Sequence, residues 1–248
     1  MNAPQPPVTP PGWELIRQLA AFCAQAYASP NIVDPLTGAA ALVLPWQGNV
    51  LVAFRGSQSP QDFIRDAEGW LTEYRVGGVV CGVHHGFAED WRGVQSKVVF
   101  AVKNVLHTLP ATARVYITGH SLGGALAKLG ALGLAAAGVP VELILTFGQP
   151  RVGDALFKAA YNAALGGRTF RVVNQNDVVP RLPGWLLRYR HCGHELFLPP
   201  NGGWALDVAL FWKVVEDALG LWQAYARKED VLITEHFIKA YQQRLLGL

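Results

Sequence analysis

The chain has 248 residues, of which about half are apolar, few are charged and eight are Trp. This length and composition predict one folded domain, residues 13–248, after a Pro-rich leader at 1–12, and they exclude a disordered chain. The net charge is only +3 and the Lys and Arg residues are scattered, which excludes nucleic acid from the predicted partners.

The N-terminal segment shows no visible export signal. Its first twelve residues contain five Pro and no basic region, and Glu14 and Arg17 lie where an apolar signal core would be. We therefore expect a cytoplasmic protein, although a secreted one is compatible if a signal peptide has been removed. The longest weakly charged stretch, 123–147, is interrupted by Lys128 and Pro140, so we expect no transmembrane segment.

The spacing of apolar residues predicts strands that alternate with helices. The expected elements, in chain order, are a helix at 13–28, a β-hairpin built from 40–45 and 49–54, an amphipathic helix at 60–75, a helix at 87–107, a strand at 114–118, a helix to 137, a strand at 141–147, a helix at 154–164, strands at 169–173 and 195–198, an apolar helical stretch at 204–225 and a final helix at 234–246. This alternation indicates an α/β fold with a mostly parallel central sheet and helices on both faces.

The strand at 114–118 runs into the turn Gly119-His120-Ser121-Leu122-Gly123, and good helix formers follow. A GxSxG sequence between a strand and a helix holds a serine hydroxyl on a sharp, strained turn, and its glycines let strand and helix approach closely. The helix also directs its unpaired N-terminal N–H groups at this turn, where an oxyanion would form. We predict that Ser121 is a nucleophile, with a simple helix-capping serine as the alternative.

A serine nucleophile needs a histidine base and a carboxylate that orients it, and in this kind of fold they follow in the order Ser, Asp or Glu, His. His236 comes after every predicted strand and is the expected base, whereas His191 and His194 precede a strand and fit hydrogen-bonded structural positions. Asp177 follows the strand at 169–173, at the edge where active sites of α/β sheets gather. Four other Asp residues are better explained as helix caps or solvated groups: Asp154, Asp207, Asp217 and Asp230.

Six segments of the chain resemble, in order, the signatures of the class 3 lipases, the family of the fungal triacylglycerol lipases. They are VAFRGS at 52–57, VHHGF at 83–87, TGHSLGG at 118–124, TFGQPRVG at 146–153, NDVVPRLP at 176–183 and YRHCGHE at 189–195. The resemblance implies an α/β-hydrolase fold and a triad of Ser121, Asp177 and His236, in agreement with chain order. It also implies that the backbone N–H groups of Ser57 and Leu122 form the oxyanion hole; the alternative for Ser57 is a simple turn residue.

The same resemblance implies a mobile lid after the strand at 49–54, and residues 60–75 occupy that place. Five side chains share one face of the predicted helix: Phe63, Ala67, Trp70, Leu71 and Tyr74. This pattern fits a lid that closes an oily pocket and opens at a lipid surface. An ordinary surface helix packed on the core has the same pattern.

These features predict a carboxylic ester hydrolase, a lipase that cleaves acylglycerols through an acyl-enzyme at Ser121 without a cofactor. The expected partner is a lipid or apolar ester at a lipid–water interface. Feruloyl esterase and phospholipase activities occur in the family and remain alternatives, as do a serine peptidase and a non-catalytic lipid-binding module. Residues 204–225 look longer and more apolar than in typical members, which fits an acyl pocket, a second cap or a core-packed helical pair.

A metal site is not predicted, although His191, Cys192 and His194 lie close together in the sequence. The zinc motif HExxH fails, because Leu198 stands where its second histidine belongs. Four ligands at suitable spacing cannot be assembled.

Overall fold

The structure is a computed structural model, and it describes residues 8–59, 69–175, 177–199, 202–207 and 235–248. The described strands are β1 (Ile32–Val33), β2 (Ala40–Trp46), β3 (Asn49–Phe54), β4 (Leu71–Val76), β5 (Val79–His84), β6 (Val115–His120), β7 (Val141–Phe147), β8 (Thr169–Asn174), β9 (His194–Leu198) and β10 (Ala205–Leu206). All but β4 and β5 form one eight-stranded sheet in the order β1-β2-β3-β6-β7-β8-β9-β10.

The middle of this sheet is parallel and its two edges are antiparallel. Strands β3, β6, β7, β8 and β9 all run in the same direction. The pairs β1–β2, β2–β3 and β9–β10 are antiparallel. The mostly parallel central sheet confirms the predicted fold class.

Helices cover both faces of the sheet. They are α1 (Trp13–Ala28), α2 (His85–His107), α3 (Leu122–Ala136), α4 (Ala155–Leu165) and α5 (Ile238–Leu246). Helices α2, α3 and α4 contribute Trp91, Leu126 and Phe157 to one buried cluster. Helices α1 and α5 contribute Leu19 and Tyr241 to a second cluster. The two clusters therefore lie on opposite faces of the sheet.

The central strands bury both of their faces. In β3, Val50 and Val52 belong to the first cluster, while Leu51 between them belongs to the second. In β7, Ile144 belongs to the first cluster and Leu145 to the second. Because successive side chains of a strand point to opposite faces, a strand buried on both faces is a continuous apolar run rather than an alternating one.

The predicted helix at 60–75 is wrong over its C-terminal part. Residues Leu71–Val76 form β4, which pairs antiparallel with β5. Gly77 and Gly78 between them have φ of 52° and 84°, and a two-residue hairpin turn of type I′ requires such positive values. A glycine pair between two apolar runs is a sequence signal for a hairpin. The helical spacing of the apolar residues at 60–75 obscured this signal.

The predicted lid face is therefore not a continuous helical face. Leu71 and Tyr74 are half-buried in β4, whereas Phe63 and Ala67 lie outside the described residues. Trp70 precedes β4, is 70% exposed and stacks on the His85 ring at 4.9 Å between centroids.

Two further predictions concern the C-terminal third. The predicted apolar helix at 204–225 is wrong at its start, where Ala205–Leu206 form β10 against β9, and its residues 208–225 lie outside the described part of the chain. The last helix begins at Ile238 rather than at 234, because Phe237 has extended backbone and residues 235–237 form a turn.

Among the described residues, no helix combines the length and the apolar character that crossing a bilayer requires.

Asp154 joins the β4–β5 hairpin to the body of the domain, and its loss should destabilise the fold. Its Oδ1 accepts from the Phe157 N–H at 2.8 Å and caps α4, while its Oδ2 accepts from the Gly82 N–H at 3.0 Å. Asp154→Ala removes both bonds and should lower the free energy of unfolding in urea by about 1–3 kcal/mol. Asp154→Asn keeps the cap oxygen and should lose less. An unchanged unfolding midpoint for the alanine variant would contradict this role.

Candidate active site

Ser121 lies on the turn between β6 and α3, in the strained conformation that the sequence predicts. Its φ and ψ are 59° and −130°, a region that non-glycine residues rarely adopt. Its N–H donates to the Phe147 carbonyl at 2.9 Å, and its own carbonyl accepts from the Gly124 N–H at 2.8 Å. A Cβ added at Gly119 would collide with the Gly123 carbonyl, so the absence of a side chain allows strand and helix to meet here.

The structure brings together the three residues that chain order selected. The Ser121 Oγ lies 2.8 Å from Nε2 of His236, and the His236 Nδ1 lies 2.9 Å from both carboxylate oxygens of Asp177. All three residues are buried. Because a carboxylate only accepts, Nδ1 carries the imidazole proton and Nε2 is left to accept from the serine hydroxyl. This is the tautomer that a general base requires.

The buried Asp177 carboxylate has donors on both of its oxygens. Oδ1 accepts from the Val179 N–H at 2.9 Å, and Oδ2 accepts from the Tyr241 hydroxyl at 2.6 Å. Tyr241 in turn accepts from the Asn174 N–H at 3.1 Å. Burial, together with the neighbouring Asp177 charge, raises the pKa of Tyr241 well above its usual value, so its hydroxyl stays protonated as a donor.

The rival residues occupy structural positions. His191 Nε2 lies 2.6 Å from the Pro180 carbonyl, and His194 Nδ1 lies 2.7 Å from the Asp207 carboxylate. Asp154 is the predicted helix cap. Asp217 and Asp230 lie outside the described residues.

The part of the chain that the structure describes contains no group of three or more His, Cys, Asp or Glu arranged to hold a metal ion. The three cysteines, Cys23, Cys81 and Cys192, are buried free thiols. Burial raises the pKa of each of them, so all three thiols stay protonated near neutral pH.

Ser57 and Leu122 lie on segments that meet beside Ser121. Leu122 is the first residue of α3, so its N–H has no partner within the helix. A Cβ added at Gly123 would collide with the Phe54 carbonyl, so the start of α3 touches the end of β3, three residues before Ser57. The Ser57 hydroxyl donates to the Ser59 carbonyl at 3.1 Å and therefore orders its own loop.

The sequence alone assigns no role to Tyr241 or His120, yet both contact residues of the site. Tyr241 follows His236 by five residues in α5, where nothing in the sequence separates it from an ordinary core aromatic. For His120, the sequence feature that could have indicated a role at the site is its position directly before Ser121 in the turn. Its ring Nε2 lies 2.6 Å from the carbonyl oxygen of His236.

The sheet is mostly parallel, the serine lies on a strand-to-helix elbow, and the Ser–His–Asp series lies beyond the strand ends. These features together define an α/β hydrolase. The family model for class 3 lipases matches residues 51–187, more than half of the chain. The chain belongs to this family.

Similar proteins include a secreted mono- and diacylglycerol lipase of Fusarium solani, 35% identical over 181 residues that cover 70% of this chain and 51% of the relative. The solved triacylglyceride lipase of Rhizomucor miehei has a TM-score of 0.67 at 28% identity, and the match covers 76% of this chain and 82% of that one. The catalytic centre of a second solved triacylglycerol lipase is described as a serine protease triad. This lipase has a TM-score of 0.66 at 27% identity, and the match covers 76% of this chain and 80% of that one. The chain spans about half the length of the curated relatives it matches.

The Tyr241 hydroxyl should matter more to stability than another buried tyrosine hydroxyl. Tyr241→Phe leaves a buried carboxylate without one of its donors and should lower the free energy of unfolding by about 1.5–3 kcal/mol. Tyr161→Phe is the matched control, because the hydroxyl that it removes pairs with the neutral Thr169 hydroxyl at 3.1 Å. This variant should cost about 0.5–1.5 kcal/mol. Urea unfolding measures both, and equal losses would count against the contact with Asp177 as the cause.

Proposed function

We propose that this protein is a serine carboxylic ester hydrolase that cleaves acylglycerols. The observation that carries the proposal is the continuous series of hydrogen bonds from the Ser121 hydroxyl through His236 to Asp177. A serine hydroxyl is a weak nucleophile, and this series supplies both the base and the carboxylate that holds the base in the correct tautomer.

In the proposed reaction, His236 Nε2 takes the proton of Ser121 as its Oγ attacks the ester carbonyl carbon. The tetrahedral intermediate collapses to an acyl-enzyme, and His236 returns the proton to the departing alcohol. Water then attacks the acyl-enzyme with His236 again as the base, which releases the carboxylic acid. Asp177 stabilises the imidazolium at both stages.

The oxyanion of each tetrahedral intermediate needs donors on the side opposite His236. We assign this role to the backbone N–H groups of Leu122 and Ser57. Each donor in such a hole typically contributes about 3 kcal/mol to stabilisation of the transition state. The contact between the start of α3 and the end of β3 supports this assignment, because it brings the two segments to the same edge.

The acylglycerol substrate is supported by the family and by its relatives, which are named as lipases of mono-, di- or triacylglycerols. Phospholipids and feruloyl esters remain the alternatives within the same chemistry. The cytoplasmic location expected from the sequence stays a prediction, and the name of the Fusarium relative favours secretion instead.

Replacement of the nucleophile tests the reaction. Ser121→Ala should lower hydrolysis of chromogenic esters by about 10⁴-fold or more, because His236 then has no hydroxyl to activate. Ser96→Ala, an exposed serine on α2, should keep the wild-type rate.

Three outcomes, measured with this ester assay and with amide and lipid substrates, would count against the proposal. Equal rates for Ser121→Ala and wild type would favour a non-catalytic lipid-binding module. Amide cleavage as fast as ester cleavage would indicate a serine peptidase. Preference for phospholipids or feruloyl esters over a series of acylglycerols would move the substrate class within the family.

We also propose that access to the site is controlled by a covering segment that opens at a lipid surface. The Ser121 residue is only 2% exposed, which supports a movement that admits the substrate. Because Leu71 and Tyr74 lie in β4, a lid helix in this region has to end before residue 71.

Interfacial opening predicts a particular rate curve. Hydrolysis of tributyrin should rise abruptly as its concentration passes the solubility limit, because the emulsion surface then favours the open form. The fully soluble p-nitrophenyl acetate should give ordinary saturation over the same range and serves as the control. A smooth curve for both esters would contradict a lid.

A further inference from the structure

Behind the three proposed catalytic residues lies a hydrogen-bonded pair that the reaction steps do not use, the buried His120 and the half-buried Tyr27. His120, the residue before Ser121, ends β6, and its ring lies 4.7 Å from the ring of His236 between centroids. Its Nε2 lies 2.6 Å from the His236 carbonyl oxygen, and its Nδ1 lies 2.9 Å from the hydroxyl of Tyr27 in α1. The pair therefore links the first helix of the chain to the backbone of the proposed base.

The direction of each hydrogen bond follows from the chemistry of the partners. A carbonyl oxygen only accepts, so Nε2 of His120 carries the proton and donates to His236. Burial, with the nearby His236 ring, holds the pKa of His120 well below its usual value, so the ring is neutral. In a neutral ring protonated on Nε2, Nδ1 accepts, and Tyr27 is its donor.

The Tyr27 hydroxyl also contacts the Gly56–Ser57 segment, which carries the proposed oxyanion donor Ser57. A Cβ added at Gly56 would collide with the phenolic oxygen and with the His120 carbonyl, so the Gly56 backbone packs directly on both residues. Burial raises the pKa of Tyr27, which keeps the hydroxyl protonated for its bond to His120. Gly56 immediately precedes Ser57.

We propose that Tyr27 and His120 are positioning residues that hold the backbone of His236 and the Gly56–Ser57 segment in register with Ser121. This inference rests on the proposed function, because it gives the pair a role in the reaction. His236 lies in a turn before α5 and Ser57 in a loop after β3, so neither residue is inside a helix or strand. A displacement of about 1 Å in such a site costs up to about 100-fold in rate.

The test removes each bond of the pair separately. Tyr27→Phe keeps the ring and loses the donor to Nδ1, and it should lower kcat about tenfold with KM nearly unchanged. His120→Leu loses both bonds and should lower kcat by about 10- to 100-fold. His120→Gln offers an amide N–H near the position of Nε2 and should recover part of that loss.

Tyr161→Phe is the matched control, because it also removes a hydrogen-bonded tyrosine hydroxyl, but from α4 rather than from α1. We expect it to keep the wild-type kcat even where its melting temperature falls as far as that of Tyr27→Phe. If kcat follows the melting temperature across both variants, the pair is merely structural and the inference is wrong. It is equally wrong if Tyr27→Phe keeps the wild-type kcat or if glutamine at 120 is no better than leucine.

Labelling with a fluorophosphonate separates this inference from the proposed substrate. The probe phosphonylates an activated serine: the Oγ–P bond forms, fluoride leaves and the proton passes to the base. If wild type labels at Ser121 but cleaves no acylglycerol, the proposed substrate is wrong, and slower labelling of Tyr27→Phe and His120→Leu still supports the pair. Unchanged labelling rates in both variants overturn the inference, whatever the substrate is. A wild type that does not label overturns the nucleophile, and with it the role proposed for the pair.

Discussion

The site depends on one strained turn, the elbow at Ser121. Its positive φ of 59° allows the chain to turn sharply from β6 into α3 at this residue. Contacts around the turn support the strained conformation. Gly119 and Gly123 let backbone lie against backbone, and the Phe147 carbonyl accepts from the Ser121 N–H. The start of α3, which would stabilise an oxyanion, is brought to the site by the same turn.

A second constraint is the carboxylate buried beside His236. A buried charge is costly unless donors surround it, and Asp177 has the Val179 N–H, the Tyr241 hydroxyl and the His236 Nδ1–H. These donors come from two segments distant in the sequence. The polar contacts that stabilise the charge therefore also bring the C-terminal segment onto the parallel sheet.

Local patterns predicted most of the fold because they follow from backbone geometry. The helix at Trp13–Ala28 and the strand at Val141–Phe147 begin and end as the apolar spacing predicts. The segment at 71–76 was predicted wrongly because its apolar residues fit a helical face as well as a strand. The Gly77–Gly78 turn decides for the hairpin, and Asp154 holds that hairpin from 72 residues away.

The sequence by itself determined which residues form the proposed site: a serine on an elbow, then an aspartate, then a histidine, in the order that an α/β hydrolase requires. Residue type and chain order were sufficient, because each of these roles demands a particular functional group. Only the tertiary structure decided the supporting residues. Tyr241, His120 and Tyr27 are ordinary core residues in the sequence, and they acquire a role because folding places their hydrogen-bonding atoms within 3 Å of Asp177, of His236 and of one another.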